Sequence, residues 1–316
     1  NTNAYGIELA DYGHPKVDEG LPQYNLAYAV NQKDSTPLFY ELYNGSVIDN
    51  TELEIMLEEA KEFGHEKLGV LMDRGYISEK NIKALRTKGY EYILMMKQNQ
   101  RICQEIIEEY GAAVQSLEGY YIGEHGVYGT TVKKQLYGQE TNIHVYYDDI
   151  RASEEKVALM SRYETWEKEI EKKVEKKLAT EGEMKKYRKV FKLKYDQNGY
   201  LVAYQRNSRY IKEEIRNLGF FFIMTSEDMS ASKALDIYRG RDNIEKMFRS
   251  LKSGIDFNKA RVHTTESLKS KVFVTFIAMI VRNELFQKAE ELRKKNRKAY
   301  TVPGMISELE NIECTR

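Results

Sequence analysis

The first hundred residues begin with two hydrophobic stretches that a polar stretch separates. Gln23–Val30 and Pro37–Tyr43 are rich in Tyr, Leu, Val and Phe, and Asn31–Thr36 lies between them. Aromatic and β-branched runs on either side of a short polar segment are typical of neighbouring strands. We therefore predict a pair of antiparallel strands here.

Helical patterns then alternate with short apolar runs. Helices are predicted at Glu52–Phe63 and at Glu79–Thr87, where Ser78 can serve as the N-cap. The runs Lys67–Met72 and Tyr90–Met96 are consistent with buried strands. Strands separated by helices of this length indicate a mixed α/β sheet.

The middle of the chain has a different character. Tyr120–Tyr147 alternates in the manner of strands, and Glu154–Lys177 is a highly charged helix. The turn Asp196–Gly199 contains Asn-Gly between two alternating runs, which is typical of a hairpin. These features favour an inserted β-rich module over a continuation of the first sheet.

The last third returns to the α/β pattern. Phe220–Met224 is an apolar strand, and a long helix is predicted from Ser230 or Ser232 to about Lys252. These patterns divide the chain into three regions: the first part of a core at 1–97, the insertion with its charged helix at 98–218, and the second part of the core at 219–316.

A further helix is predicted from Thr264 or Thr265 to about Leu292, and it contains the longest apolar run, Val272–Val281. Ten residues at about 1.5 Å each cannot cross roughly 30 Å of hydrocarbon. We expect a buried helix and no membrane span.

Charge adds an asymmetry that the zero net charge of the 316 residues conceals. Residues 1–63 carry 12 acidic and 3 basic side chains, whereas residues 238–300 carry 16 basic and 7 acidic ones. A basic region suggests a polyanionic partner, although a solvated surface is the alternative. The densest cluster, Lys294–Lys298, could follow a DNA backbone or simply end a helix.

Composition also excludes several classes of function. The five His and two Cys are scattered without the spacing of zinc ligands, and no glycine-rich phosphate-binding loop is present. The distant Cys103 and Cys314 suggest free thiols in a reducing, intracellular setting. A zinc enzyme and a nucleotide-hydrolysing motor are therefore disfavoured.

Candidate chemistry lies on the predicted helix around Tyr238–Lys252. At about 100° per residue, its apolar residues form one stripe, and a second, polar stripe lies at the edge of this buried face. The polar stripe contains Tyr238, Arg241, Glu245 and Lys252. Because Arg241 precedes Glu245 by four residues, a solvated ion pair remains an alternative to a functional site.

Asp73 is the second candidate carboxylate. It follows the predicted strand that ends at Met72, and α/β folds place ligands at the carboxyl ends of strands. An Asx turn is the competing interpretation.

These residues resemble a known family. Tyr238-x2-Arg241-x3-Glu245-x6-Lys252 resembles the Y-R-E-K signature of bacterial insertion-sequence DDE transposases, the insertion-sequence-4 superfamily. Asp73–Ser78 resembles the block around the second catalytic aspartate of that family. Gly219–Thr225 and Arg261–Glu266 also fit.

The resemblance implies an RNase H-like mixed sheet flanked by helices, with a β-rich insertion between the second Asp and the Glu. It implies that Asp73 and Glu245 are catalytic and bind two Mg²⁺ or Mn²⁺ ions in the complete site. Such ions suit strand cleavage and transfer, since they activate the attacking oxygen and stabilise the leaving oxygen. The residues expected to contact DNA are Tyr238, Arg241, Arg249, Lys252 and His263.

The first catalytic aspartate of the family has no counterpart in this sequence. Asn1-Thr2-Asn3 resembles the residues that directly succeed this aspartate in the family, so the aspartate is expected just upstream, or Asn1 stands in its place. We therefore expect a truncated core with impaired transposition. The expected setting is the cytoplasm, on the nucleoid, as a homodimer on double-stranded transposon ends and target DNA.

Two rival functions remain open. A non-catalytic DNA-binding transposase remnant would bind DNA in a salt-dependent way without binding Mn²⁺ at Asp73 and Glu245. A two-carboxylate hydrolase such as a glycosidase would not need basic residues beside Glu245.

Overall fold

A computed structural model gives the fold of the chain. It describes residues 6–12, 22–47, 49–64, 69–72, 74–176, 182–241, 245, 261–296 and 301–310. The chain divides into two compact units, one formed by Asn1–Tyr92 with Leu235–Arg316 and the other by Ile93–Ala234. We describe each unit by itself.

The described residues form a mixed α/β structure. Its strands are β1 (Tyr24–Val30), β2 (Pro37–Asn44), β3 (Gly69–Met72), β4 (Glu91–Met95), β5 (Tyr121–Ile122), β6 (Val127–Leu136), β7 (Gln139–Tyr147), β8 (Phe191–Tyr195), β9 (Leu201–Arg206) and β10 (Phe220–Thr225). Its helices are α1 (Asp49–Glu62), α2 (Glu79–Thr87), α3 (Arg101–Ser116), α4 (Asp149–Lys176), α5 (Ser208–Arg216), α6 (Ala231–Arg239), α7 (Thr265–Asn296) and α8 (Val302–Glu310).

The first unit contains the β1–β2 hairpin, which confirms the predicted antiparallel pair. Helix α7 packs on this hairpin through a core cluster of Ile7, Tyr28, Leu268, Val272 and Met279. The amide groups of Asn283 and Gln287 both donate to the carbonyl oxygen of Asp34, at 3.1 and 2.9 Å. The turn of the hairpin is thereby attached to the second half of α7.

Two helices in this unit begin at the predicted caps. The Ser78 hydroxyl accepts a hydrogen bond from the Asn81 amide at the start of α2, and Thr264 accepts one from Ser267 at the start of α7. Both satisfy backbone donors that the first helical turn leaves unpaired. No helix in the described part of the chain is long and apolar enough to cross a membrane.

A six-stranded sheet has the order β3-β4-β10-β7-β6-β5. Strand β10 is buried along its whole length and pairs antiparallel with β4 and β7. Helices lie along this sheet, with α3 against β6 and β7. The architecture is compatible with an RNase H-like fold.

The sheet differs from the sequence-based expectation in its middle strands. Strands β5, β6 and β7 belong to the same sheet as β4 and β10, whereas we expected Tyr120–Tyr147 in a separate module. Helix α3 had not been predicted at all. Alternation shows that a segment is a strand, but it does not reveal which distant strand provides the hydrogen-bonding partner. The division at 98–218 stays a prediction.

A second core cluster in the Ile93–Ala234 unit is formed by α4, α5 and the β8–β9 hairpin. The hairpin confirms the Asn-Gly prediction, with Gly199 at φ +78° in the turn. Tyr163, Ile170 and Phe191 are fully buried in this cluster. The charged helix α4 is therefore a packed element with one apolar face.

Candidate active site

The segment that carries the candidate signature starts as a regular helix. The Ser230 hydroxyl accepts a hydrogen bond from the Lys233 amide and caps α6. The helix ends at Arg239, and Gly240 and Arg241 form a turn, so the prediction of one unbroken helix to Lys252 was wrong. Glycine has low helix propensity, and the Arg241 amide bonds to the Tyr238 carbonyl three residues back, at 3.1 Å.

This turn rests against the β1–β2 hairpin. The Gln32 side-chain amide donates to the Ile237 carbonyl oxygen at 2.7 Å. A Cβ added at Gly240 would lie 3.0 Å from Gln32 Nε2 and 3.1 Å from the Ile237 carbonyl oxygen. Sequence reasoning missed Gln32, because its partner lies 205 residues away.

Three of the signature side chains, which come from before, within and after this turn, form one contact group. Arg241 Nη2 donates to Glu245 Oε1 at 2.5 Å. The Arg241 guanidinium also lies over the Tyr238 ring, 5.1 Å from its centroid. The ring is buried, whereas the Arg241 and Glu245 side chains are 23% and 52% exposed. The expected ion pair is therefore present. Its guanidinium lies over the buried Tyr238 ring, and its carboxylate is open to solvent.

His263 lies on another segment of the same unit, just before α7, and is exposed. A Cβ on Gly6 would be only 2.2 Å from the His263 carbonyl oxygen, so the chain near residue 6 needs glycine there. The Glu8 amide donates to Thr265 Oγ1 at 3.0 Å. These contacts hold the backbone that presents His263.

Three candidate residues, Asp73, Arg249 and Lys252, lie outside the described residues. Strand β3 ends at Met72, as predicted, and a short helical turn occupies Arg74–Tyr76. The exposed Lys294 is described, whereas Arg297 and Lys298 of the basic cluster are not.

The comparison with protein families decides the identity of the chain. A family model described as "Transposase DDE domain" matches residues 6–281. The chain belongs to this family. The matched range of the transposase domain includes every strand and helices α1–α6, and reaches into α7. A search among curated proteins found no match.

Membership gives the general class of activity. DDE transposases are enzymes of DNA transposition, and DNA is their substrate. The Tyr238–Arg241–Glu245 group of this transposase domain lies within the matched residues.

Proposed function

We propose that this domain is the catalytic core of a transposase of the insertion-sequence-4 superfamily, Y-R-E-K signature group. It would cut and join DNA at element ends by divalent-metal-dependent phosphoryl transfer. The observation that carries the proposal is the contact group of Tyr238, Arg241 and Glu245, in which a carboxylate and a guanidinium meet at the surface on a buried ring.

Glu245 and Asp73 are the proposed metal ligands. Carboxylate oxygens are the hard donors that Mg²⁺ and Mn²⁺ prefer, and the Glu245 side chain is 52% exposed, so a partly hydrated ion can reach it. Glu245 thus fits the role. When bound, two divalent ions supply activation of the attacking oxygen and stabilisation of the leaving oxygen at the phosphodiester.

Arg241 is the proposed phosphate-binding residue of the group. Its planar fork can donate two parallel hydrogen bonds to a phosphate. The buried Tyr238 ring lies beneath the guanidinium, so we propose that Tyr238 positions Arg241 through a cation–π contact. The contact of Tyr238 with DNA stays a prediction. Arg249, Lys252 and His263 are proposed to bind the DNA backbone nearby.

The direct test is Mn²⁺ binding by the protein with a bound double-stranded oligonucleotide, measured by electron paramagnetic resonance. Glu245→Gln and Asp73→Asn should each weaken binding at least tenfold, because each removes a charged ligand. Glu154→Gln is the matched control, since it removes an exposed carboxylate of α4 in the other unit. Unchanged Mn²⁺ affinity in Glu245→Gln would overturn the catalytic proposal. Salt-dependent DNA binding in that case would identify the domain as a DNA-binding remnant.

We further propose that the domain acts as a homodimer on paired DNA ends, in the cytoplasm and on the nucleoid. Light scattering of the protein with a double-stranded oligonucleotide measures the number of protein chains per complex. Two chains per complex are expected, and a single chain at saturating protein would contradict the dimer.

A further inference from the structure

The ion pair of the candidate site places two functional groups in competition. Arg241 Nη2 donates to Glu245 Oε1 at 2.5 Å, so the guanidinium occupies an oxygen of the carboxylate that is proposed to bind metal. This inference rests on the proposed function of Glu245.

A metal ion and Arg241 compete for the carboxylate of Glu245. An oxygen that accepts a charge-assisted hydrogen bond must give it up, or share it, to become a metal ligand. In addition, a guanidinium at contact distance repels a divalent cation. In the arrangement observed, Arg241 therefore weakens the attraction of Glu245 for metal.

A DNA phosphate would compete with Glu245 for Arg241, since both groups accept hydrogen bonds from the guanidinium. Arginine has five N–H donors in one planar fork, and a phosphate can engage two of them at once. The side chain of Arg241 is 23% exposed and Glu245 is 52% exposed, so the pair borders solvent. A phosphate could therefore take over Arg241 without unpacking a core.

The surroundings of Arg241 suit such an exchange of partners. The Tyr238 ring lies 5.1 Å from the guanidinium, and a ring face attracts the cation without fixing which acceptor its N–H groups choose. The backbone of the turn is held by the bond from Gln32 to the Ile237 carbonyl. The end of the side chain can reorient while its base stays in place.

We propose that Arg241 couples metal binding to DNA binding. Without DNA it pairs with Glu245 and lowers the metal affinity; with DNA it turns to a phosphate and leaves Glu245 available to metal. Because linkage is reciprocal, bound metal must strengthen DNA binding by the same factor. The site would then be loaded with metal mainly when DNA is present.

The test measures that coupling factor without any cleavage. The affinity of the full chain for a double-stranded oligonucleotide is followed by fluorescence anisotropy, with and without Mn²⁺ at constant ionic strength. Mn²⁺ affinity is measured separately on the protein alone. For the unmodified chain we expect Mn²⁺ to tighten DNA binding at least fivefold.

Arg241→Gln removes the charge but keeps a polar side chain. We expect it to bind Mn²⁺ at least fivefold more tightly than the unmodified chain in the absence of DNA, and to show a coupling factor near one. Arg239→Gln is the matched control, because it removes an equal charge from an exposed position two residues earlier. It should weaken DNA binding and keep the coupling. Arg241→Met, which removes the charge and keeps a long side chain over the Tyr238 ring, serves as a second variant with the same expected results should Arg241→Gln fail to fold.

The outcomes separate this inference from the proposed function. If Glu245→Gln, measured with the oligonucleotide bound, takes up Mn²⁺ as well as the unmodified chain does, the metal site itself is wrong. If Glu245→Gln loses Mn²⁺ while the variant without the charge at position 241 keeps the full coupling factor, the site stands and the role of Arg241 is overturned.

Discussion

The two long helices of the molecule, α4 with 28 residues and α7 with 32, differ in how their apolar residues are distributed between buried and exposed faces. Helix α4 is dominated by charges, and its apolar positions Leu159, Tyr163 and Ile170 are buried against the β8–β9 hairpin and α5. Its acidic residues also bond to the hairpin region, as Glu167 does to Arg206 and Glu169 to Tyr187.

Helix α7 is apolar around its whole circumference in the middle. Leu268, Val272 and Met279 are buried against the β1–β2 hairpin, while the opposite side exposes large apolar side chains, so the expectation of a buried helix was wrong for that side. The exposed residues are Phe273, Val274, Ile277 and Val281. The buried face of an amphipathic helix can be predicted from its sequence, whereas the buried face of a helix that is apolar on all sides cannot. The comparison therefore separates the features that a pattern can decide from those that packing decides.

The largest expected effect comes from removing the same side chain on both helices. Ile170→Ala should cost about 2–5 kcal/mol, since Ile170 is 0% exposed and its truncation leaves a cavity. Ile277→Ala should cost below about 1 kcal/mol, because Ile277 is 44% exposed. Fluorescence of Trp166, the single tryptophan, reports denaturant unfolding around α4, and amide hydrogen exchange reports α7.

Met279→Ala is the control within α7. Because Met279 is buried, this substitution should lower the free energy of unfolding as much as Ile170→Ala does. Equal losses for Ile277→Ala and Met279→Ala would show that the contrast between the two faces of α7 is false.

A smaller effect is expected from pH, and it too separates the units. The imidazole of His144 on β7 is buried between Thr131 and Thr225, whose hydroxyl oxygens lie 2.8 and 3.0 Å from its ring nitrogens. Burial lowers the pKa of His144 to about 4, and Asp228 opposes this only in part. In the unfolded chain the pKa is about 6.5. The unfolded state therefore takes up a proton first as the pH falls.

This order of protonation determines the direction in which stability changes with pH. The contribution of His144 to stability is complete above about pH 6.5 and is lost towards pH 4, by up to about 3 kcal/mol. Unfolding midpoints from Trp166 fluorescence between pH 7 and 4 measure it. His144→Gln should make the dependence shallower, whereas His263→Gln, at an exposed position, should not. Equal slopes for His144→Gln and the unmodified chain would rule out His144 as the cause.

The smallest effect concerns ion pairs at the surfaces of the two helices. Arg206 on β9 donates to both carboxylate oxygens of Glu167 on α4, and both side chains are partly buried. A double-mutant cycle with Arg206→Gln and Glu167→Gln should give a coupling energy of about 0.5–1 kcal/mol. The Arg293–Glu290 pair within α7 should give about 0.2–0.5 kcal/mol.

High salt should reduce both coupling energies, since partly exposed charges are screened. A larger coupling within α7 than between α4 and β9 would contradict the view that α4 is held by its charges as well as by its core.

The candidate site shows the same division between pattern and packing. The spacing of Tyr238, Arg241 and Glu245 predicted one shared surface, and the structure brings these three together. The contact of the turn at Gly240 with Gln32 could not be predicted, because Gln32 lies on a distant hairpin. The functional roles of the candidate residues stay predictions, and the proposed variants test those of Asp73, Arg241 and Glu245. The other candidates are Tyr238, Arg249, Lys252 and His263.

The sequence by itself determined the elements whose causes are local. Ser78 and Thr264 start helices, and Asn198-Gly199 turns a hairpin, because their hydrogen bonds and backbone angles involve only a few neighbouring residues. The tertiary structure alone decided that β6 and β7 join the six-stranded sheet and which side of α7 is buried. Each of these depends on contacts with residues far away in the chain, and the hydrophobic periodicity of a segment does not identify those residues.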